Sequence, residues 1–482
     1  MPRTFQYFSW TSLRRFAVCV IACTALPAAA VTARAETLES ALVQAYQNNP
    51  SLNSQRASVR VTDENVPQAL SGYRPKVNIT GSGGEQSLSS TSKVVGPTIL
   101  PNAPATYFTQ SGFNSTYGAG ATVTQTIFNG FQAANKTRQA EAQVLAARAS
   151  LRVVEQTVLL NAVTAYMNLL RDTAILDLQR RNVEVLQEQL RQVRDRFNVG
   201  EVTRTDVAQS ESRLAAGRSQ VLTAEANYKA SGATYRQVIG VNPGKLSPGS
   251  PVDRFSPPNL PVSLDFASAT HPAVTSAQFN VDVAQQQVKL AEAALYPTVS
   301  LQGNFQKNYM ALGSLNTIES YSASVLGQVS VPIYQGGAEY STIRQAKETL
   351  GQRRLDFDVA RDQVRQTVVQ SWGQLEAAKA NIDATTSQVQ AAEIALNGVR
   401  EEARVGQRTT LDVLNAQQEL VNARVALVSA QRDRVVASYT LLASVGRLAP
   451  EVLALNVPVY DSQVHYSQIR DSWAGVRTPD GR

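Results

Sequence analysis

Cysteine is nearly missing from this 482-residue chain, and the two that occur, Cys19 and Cys23, both lie within the first 35 residues. Without that segment no thiol is left for a disulfide, a thiolate metal site or a cysteine nucleophile. Histidine is equally scarce, with only His271 and His465. That excludes a Cys/His zinc site and leaves almost no material for a multi-histidine metal centre or a Ser-His-Asp triad. Carboxylate- or lysine-based chemistry passes this filter, but no motif for one occurs, and Gly81-Ser82-Gly83-Gly84 follows no phosphate-loop pattern and lacks the lysine. The sequence therefore predicts no enzyme, no cofactor and no metal. A strong charge of one sign is missing as well. The formal +7 includes Arg3, Arg14, Arg15 and Arg34, and residues 36–482 carry only +3, which does not indicate a nucleic-acid partner. Long apolar runs are also absent after residue 35. The richest stretch, 157–170, is broken by Asn161, Thr164 and Asn168, so no transmembrane helix is expected there. A chain of this kind that spans a membrane must do so with β-strands closed into a barrel.

The leader has the form of a secretory signal. Arg14 and Arg15 precede a mostly apolar stretch, 16–30, and Ala33-Arg34-Ala35 supplies a small-x-small site before Glu36. The stretch is too short for a span of about 20 residues and is interrupted by Pro27. Ala28-Ala29-Ala30 is a rival cleavage site, and Val20-Ile21-Ala22-Cys23 resembles a degenerate lipoprotein box.

The rest of the chain repeats itself. Tyr73-Arg74-Pro75 is answered by Leu295-Tyr296-Pro297 at an offset of 222, and Pro50 by Pro272. At an offset of 206, Phe128-Asn129-Gly130 is answered by Tyr334-Gln335-Gly336, Val199-Gly200 by Val405-Gly406, and Asp206-Val207 by Asp412-Val413. The difference lies wholly in the connection between Pro75 and Phe128, which is longer than that between Pro297 and Tyr334. The expected organisation is a leader (1–35), a first copy (36–243), a Pro-rich link (244–262), a second copy (263–450) and a polar tail (451–482). Each copy reads as a helix, two β-like segments, one very long helix, a Gly turn and another long helix.

From 130 to 198 there is no proline and no internal glycine, which predicts one helix roughly 100 Å long. Its last third carries a 3-4-3-4 seam, Val183, Leu186, Leu190, Val193 and Phe197, and the second copy repeats it with Val389, Ala392, Leu396, Val399 and Ala403. Val207, Leu214, Val221 and Tyr228 recur every seven residues on the return helix. These stripes are coiled-coil packing. Pro67 is expected to kink or divide the first helix, where the second copy has Lys289.

The β-like segments alternate apolar and polar residues, for example Val299, Leu301, Gly303 and Phe305 against Ser300, Gln302 and Asn304. Their expected length is the 9–11 residues of a tilted membrane strand, and Tyr73, Tyr117, Phe128, Tyr296, Tyr321 and Tyr334 stand near their ends, as aromatic girdles do. Two soluble hairpins packed on helices are the other reading of the same pattern. Four strands do not close a barrel, since about eight is the smallest workable number; two chains would give eight and three would give twelve.

At the tips, Gly200 and Gly406 follow the last heptad residues, and Thr203-x-x-Asp206 and Thr409-x-x-Asp412 match the capping box that opens a helix. Here the sequence resembles the TolC-type outer-membrane channel proteins, over about 36–453. The resemblance is carried above all by Arg196-Phe197-Asn198-Val199-Gly200-Glu201-Val202-Thr203-Arg204-Thr205-Asp206-Val207 and Val405-Gly406-Gln407-Arg408-Thr409-Thr410-Leu411-Asp412-Val413-Leu414. It implies a mainly helical chain with strands that forms a homotrimer. Twelve strands make a transmembrane β-barrel in the outer membrane of a Gram-negative bacterium, and twelve helices continue it as a coiled-coil α-helical barrel through the periplasm. The implied function is an exit duct for type I protein secretion, multidrug efflux or both, docked to an inner-membrane transporter and a periplasmic adaptor. A periplasmic coiled-coil structural or adaptor protein is the alternative. By position, Val199, Gly200, Glu201, Val405, Gly406 and Gln407 match the adaptor-docking tips. Thr205, Asp206 and Arg408 match the network that shuts the tunnel mouth, and Asp412 matches an inward carboxylate ring that favours cations. Ala403 stands where members often carry a closing tyrosine, and Asn415 where a second aspartate ring is expected.

Overall fold

The computed structural model describes residues 36–94, 106–312 and 315–481. The leader, with Cys19, Cys23 and both cleavage sites, lies outside them. The chain runs α1 (Leu38–Asn48), α2 (Pro50–Asp63), α3 (Asn65–Leu70), β1 (Lys76–Val94), β2 (Thr106–Asn129), α4 (Gln132–Asn198) and α5 (Arg204–Ile239). It continues through α6 (Leu260–Thr270), α7 (Pro272–Glu292), β3 (Thr298–Leu312), β4 (Leu315–Ser330), α8 (Ala338–Arg404), α9 (Thr410–Ser444) and α10 (Ser462–Ile469).

Helices α4 and α8 are the two continuous struts, each 67 residues, or about 100 Å at 1.5 Å per residue. Toward the sheet they are flanked by α2, α3 and α7; toward the far end each packs along its own return helix, α5 or α9, and α4 also meets α9. The break between α2 and α3 falls at Glu64, because Pro67 has no N–H to offer the carbonyl four residues back. With Lys289 at the corresponding place, α7 runs unbroken. The start of α4 departs from the glycine rule. Phe131 has φ 66°, where the second copy uses Gly337 at φ 81°. The left-handed conformation costs an ordinary residue about 1–2 kcal/mol. Here the Phe131 ring gains edge-to-face contacts with Phe128, at 5.4 Å, and Tyr296, at 6.5 Å.

The main core lies at mid-height, where the ends of α1, α2, α5 and α9 meet the middle of α4. Tyr46, Leu159, Tyr166, Tyr235, Ile239 and Leu442 are fully buried there. The Pro-rich link is sewn to this core. Glu36 exchanges backbone bonds with Lys245 and Ser247 at 2.8 and 2.9 Å, the Ser438 hydroxyl accepts from the Val252 N–H at 3.2 Å, and Arg434 pairs with Asp253. The tail is also built in, since α10 packs on α2.

The strands form one antiparallel sheet in the order β1-β2-β3-β4. They are 19, 24, 15 and 16 residues long, well beyond the expected 9–11. Backbone pairing needs no apolar side chains, so the Ser-rich segment Gly84 to Val94 continues its ladder against Thr116 to Thr106 past the membrane-sized part.

Register sorts the side chains into two faces. One row joins Val77, Val123, Gly303 and Val325; the next apolar row joins Ile79, Ala121, Phe305 and Ala323. The alternate rows join Asn78, Thr122, Asn304 and Ser324, then Thr80, Gly120, Gln306 and Ser322. None of the described strand side chains is buried, so the sheet is not a pair of soluble hairpins covered by helices. On the face of the apolar rows the run from Val299 to Tyr309 spans about 25 Å once strand tilt is included; it is mostly apolar up to the row of Phe305, and above that it carries the Lys307–Glu319 ion pair. Tyr117, Tyr309 and Tyr321 stand exposed near its upper end, and Tyr73, Tyr296 and Tyr334 at its base.

Candidate functional site at the helix tips

The lower halves of α4, α5, α8 and α9 carry the tips. The seam of the first hairpin buries Leu186, Leu190 and Val193, and the cluster of Leu186 and Leu190 takes in Leu214 of α5 and Leu414 of α9. It therefore joins the two hairpins as well as zipping one of them. The second seam buries Ala392 and Leu396 against Leu420 and Ala423. Phe197 and Tyr228, expected in the stripes, are exposed: Phe197 stands at the end of α4, and on α5 the buried positions around Tyr228 are Ala224 and Ser231 instead. At Gly217 an added Cβ would come within 2.9 Å of Leu186 Cδ1; the missing side chain lets α4 and α5 approach.

Both turns end their long helices in the same way. The Glu201 N–H donates to the Arg196 carbonyl and the Gln407 N–H to the Glu402 carbonyl, each at 2.9 Å. Gly200 and Gly406 take φ 81° and 80°, the left-handed closure that glycine makes without strain. This leaves Val199 and Val405 each 71% exposed at the apex. The charges then differ. In the first tip Arg196 Nε donates to Glu201 Oε2 at 3.1 Å, whereas in the second Arg408 Nε donates to Glu402 Oε2 at 2.8 Å. Gln407 is exposed and uncharged, so the two apices offer related shapes with different polarity.

The carboxylates are first of all helix caps. Asp206 Oδ2 accepts from the Thr203 N–H at 2.9 Å and from its hydroxyl at 2.7 Å; Asp412 Oδ2 accepts from Thr409 at 3.0 and 2.9 Å. Bonds from the Thr409 N–H and hydroxyl hold the Asp412 carboxyl below its ordinary range, with Arg408 adding to the effect. Glu402 beside Arg408 makes that guanidinium still harder to deprotonate. Thr205 is exposed on the first turn of α5. Among the described residues no bond joins Thr205 or Asp206 to Arg408; Asp206, Arg408 and Asp412 pair within their own turns.

The direct links between hairpins come from residues that the tip motif did not reveal. Arg213 of α5 donates to Asn415 Oδ1 of α9 at 2.7 Å, which gives that asparagine a neutral-acceptor role. About half a turn further from the tip, Arg400 donates to Gln417 Oε1 at 3.0 Å, and Gln417 donates to the buried Asn182 at 3.4 Å. This polar layer ties α8, α9 and α4 together inside an otherwise apolar seam. The available signal was Asn182, a polar residue next to Val183 at the head of the heptads. Between α4 and the α8/α9 hairpin lies an open groove of about 590 Å³, bordered by Glu188, Gln192, Arg196, Arg400, Ala403 and Arg404. Ala403 leaves this groove wide where a larger side chain would fill it.

Comparison with known proteins agrees with this architecture. The outer membrane efflux protein family matches residues 41–241 and 264–447. The chain is 42% identical to the outer membrane efflux protein BepC of Brucella suis biovar 1 (strain 1330), over 96% of this chain and 98% of BepC. It is 27% identical to the outer membrane protein TolC of Escherichia coli (strain K12), over 88% and 85% of the two chains. A crystal structure of CusC, described as forming a transmembrane channel, superimposes with a TM-score of 0.70 at 17% identity, covering 85% of this chain and 92% of that one; this establishes the fold. With an α-helical barrel segment, a β domain and a match to BepC over nearly its whole length, the chain belongs to the outer membrane efflux protein family.

Proposed function

We propose that the protein is an outer-membrane exit duct, assembled from three copies, that carries cargo across the outer membrane and the periplasm without chemistry of its own. The observation that carries this reading is the register of the sheet. Four strands expose one mostly apolar face, topped by the Lys307–Glu319 pair, and one mostly polar face, and among the described residues both outer strands, β1 and β4, have an unpaired edge. A lone sheet of this kind leaves two rows of backbone groups unsatisfied in lipid, and closure with other copies removes both. Three copies give twelve strands with lipid outside and a wet lumen inside. Below the sheet, four helices per copy at each level continue the wall as a tunnel of twelve.

The tips then face the inner membrane. Val199, Gly200, Glu201, Val405, Gly406 and Gln407 present two rigid apices for a periplasmic adaptor, and an inner-membrane transporter supplies the energy. Thr205, Asp206, Arg408 and Asp412 ring the tunnel mouth, where three copies of each carboxylate favour cations. BepC is an outer membrane efflux protein, so efflux is the role favoured here, with type I secretion as the second. Single-channel recording of the detergent-purified protein tests the duct. The expected result is small cation-selective currents from trimers; a preparation that never inserts into bilayers contradicts it.

A further inference from the structure

The carboxy-terminal segment is an ordered strap with an exposed apolar apex. It is fastened at α10, where Tyr466 packs against Val66, Ala140 and Val144, His465 Nδ1 lies 3.1 Å from the buried Asp63 Oδ2, and Arg148 donates to the Ser462 carbonyl at 3.2 Å. The chain then climbs. Arg470 reaches Glu141 near the start of α4 at 3.7 Å. Arg74, just below β1, donates to the Ser472 carbonyl at 2.5 Å, and its guanidinium lies 4.7 Å from the centre of the Trp473 ring. By Asp480 the strap has returned to Arg60 on α2, at 3.8 Å. The turning point is Trp473-Ala474-Gly475-Val476-Arg477, with Trp473 71% and Val476 100% exposed.

This apex sits at a definite height. Arg74 is three residues before Val77, the first residue of the apolar face of β1. That is about 10 Å along the strand and about 7 Å along the membrane normal at a 45° tilt. The headgroup zone below the hydrocarbon is of similar thickness, about 5–7 Å. Trp473 therefore stands level with the phospholipid headgroups next to the base girdle of Tyr73, Tyr296 and Tyr334. An exposed indole, a bare valine and a guanidinium with no partner among the described residues form the chemistry of an interfacial anchor.

We infer that the apex at 473–477 is a membrane foot. It seats Trp473 and Val476 at the boundary between headgroups and acyl chains of the periplasm-facing leaflet, with Arg477 on the phosphate of an anionic phospholipid. The inference rests on the barrel reading, and its test separates the two. Beyond the leader the chain has only two tryptophans, Trp372 and Trp473, so Trp372→Phe leaves a single reporter. The full mature chain carrying W372F is reconstituted in phosphatidylethanolamine/phosphatidylglycerol vesicles, with acyl chains either plain or brominated close to the headgroup. The expected result is that the brominated lipid at least halves the Trp473 emission, while W473F, which keeps Trp372, shows no such loss. Arg477→Glu is expected to reduce the quenching in the same vesicles. If the protein floats with the vesicles and resists alkaline extraction but Trp473 emits equally in both lipids, the foot is wrong and the barrel stands. If it does not stay with the vesicles, the barrel reading fails and the foot with it. Should W372F fold poorly, the difference between the quenching of the unsubstituted chain and that of W473F gives the same answer.

Discussion

Arginine placed at two consecutive positions of β2 separates the faces of the sheet. Ala121 is flanked by Ile79 and Phe305, and Thr122 by Asn78 and Asn304. The Ala121 row lies on the apolar face between the base tyrosines and the level of Tyr117 and Tyr309, where an outward arginine costs about 2–4 kcal/mol per chain. Three copies raise that to about 6–12 kcal/mol per barrel, as large as the whole stability of many folded proteins. Ala121→Arg is therefore expected to prevent stable insertion, read as loss of the vesicle-bound, alkali-resistant fraction. Thr122→Arg faces water in the lumen and is expected to insert normally, while its ring of added charges lowers cation selectivity, read from the reversal potential. Equal insertion of both variants, or loss of Thr122→Arg alone, refutes the assignment of the faces.

Three further outcomes follow from the helical part. Asp206→Ala combined with Arg408→Ser removes one cap and the Arg408–Glu402 pair, and is expected to raise single-channel conductance and sensitivity to large toxic compounds; unchanged currents remove both residues from the mouth. Leu190→Ala empties a buried site shared by α4, α5 and α9 and is expected to cost about 2–5 kcal/mol, measured by denaturant unfolding; a loss below 1 kcal/mol would show that the seam does not join the hairpins. His271 caps α7, its Nδ1 accepting from the Ala273 N–H at 3.1 Å, and burial holds its pKa below the ordinary 6.5. The folded pKa is depressed, so its contribution is present above pH 6.5 and lost as pH falls through the folded value. His271→Asn keeps a capping acceptor without a titrating ring, and is expected to flatten the fall of the unfolding midpoint on the acid side.

Much of this was legible because local rules and the fold agree. The 67-residue helices follow from uninterrupted helix formers, the tips from Gly200 and Gly406 with the Thr-x-x-Asp boxes, and the break before Pro67 from its missing N–H. Strand length was not legible. Apolar alternation marks only part of each strand, while the ladder runs on through a Ser-rich β1 segment and a β2 segment whose Tyr107, Phe108 and Phe113 do not alternate regularly. The role of Asn415 was also hidden, because Arg213 lies 202 residues away in sequence. Residues 451–482 read as a polar tail for the same reason. Its partners Asp63, Arg74 and Arg148 are long-range, and Trp473 gains meaning only from its height beside β1.

The most direct test of the central claim, that strands of three chains close one barrel, is disulfide trapping across the open edges. The chain beyond residue 35 has no cysteine, so Thr80→Cys on β1 can be paired with single cysteines scanned over 320–328 of β4 and oxidised in native membranes. The account predicts that pairs at matching height give a ladder of linked dimers and trimers that ends at three. Monomers for every pair, or a ladder that continues past three, would contradict it.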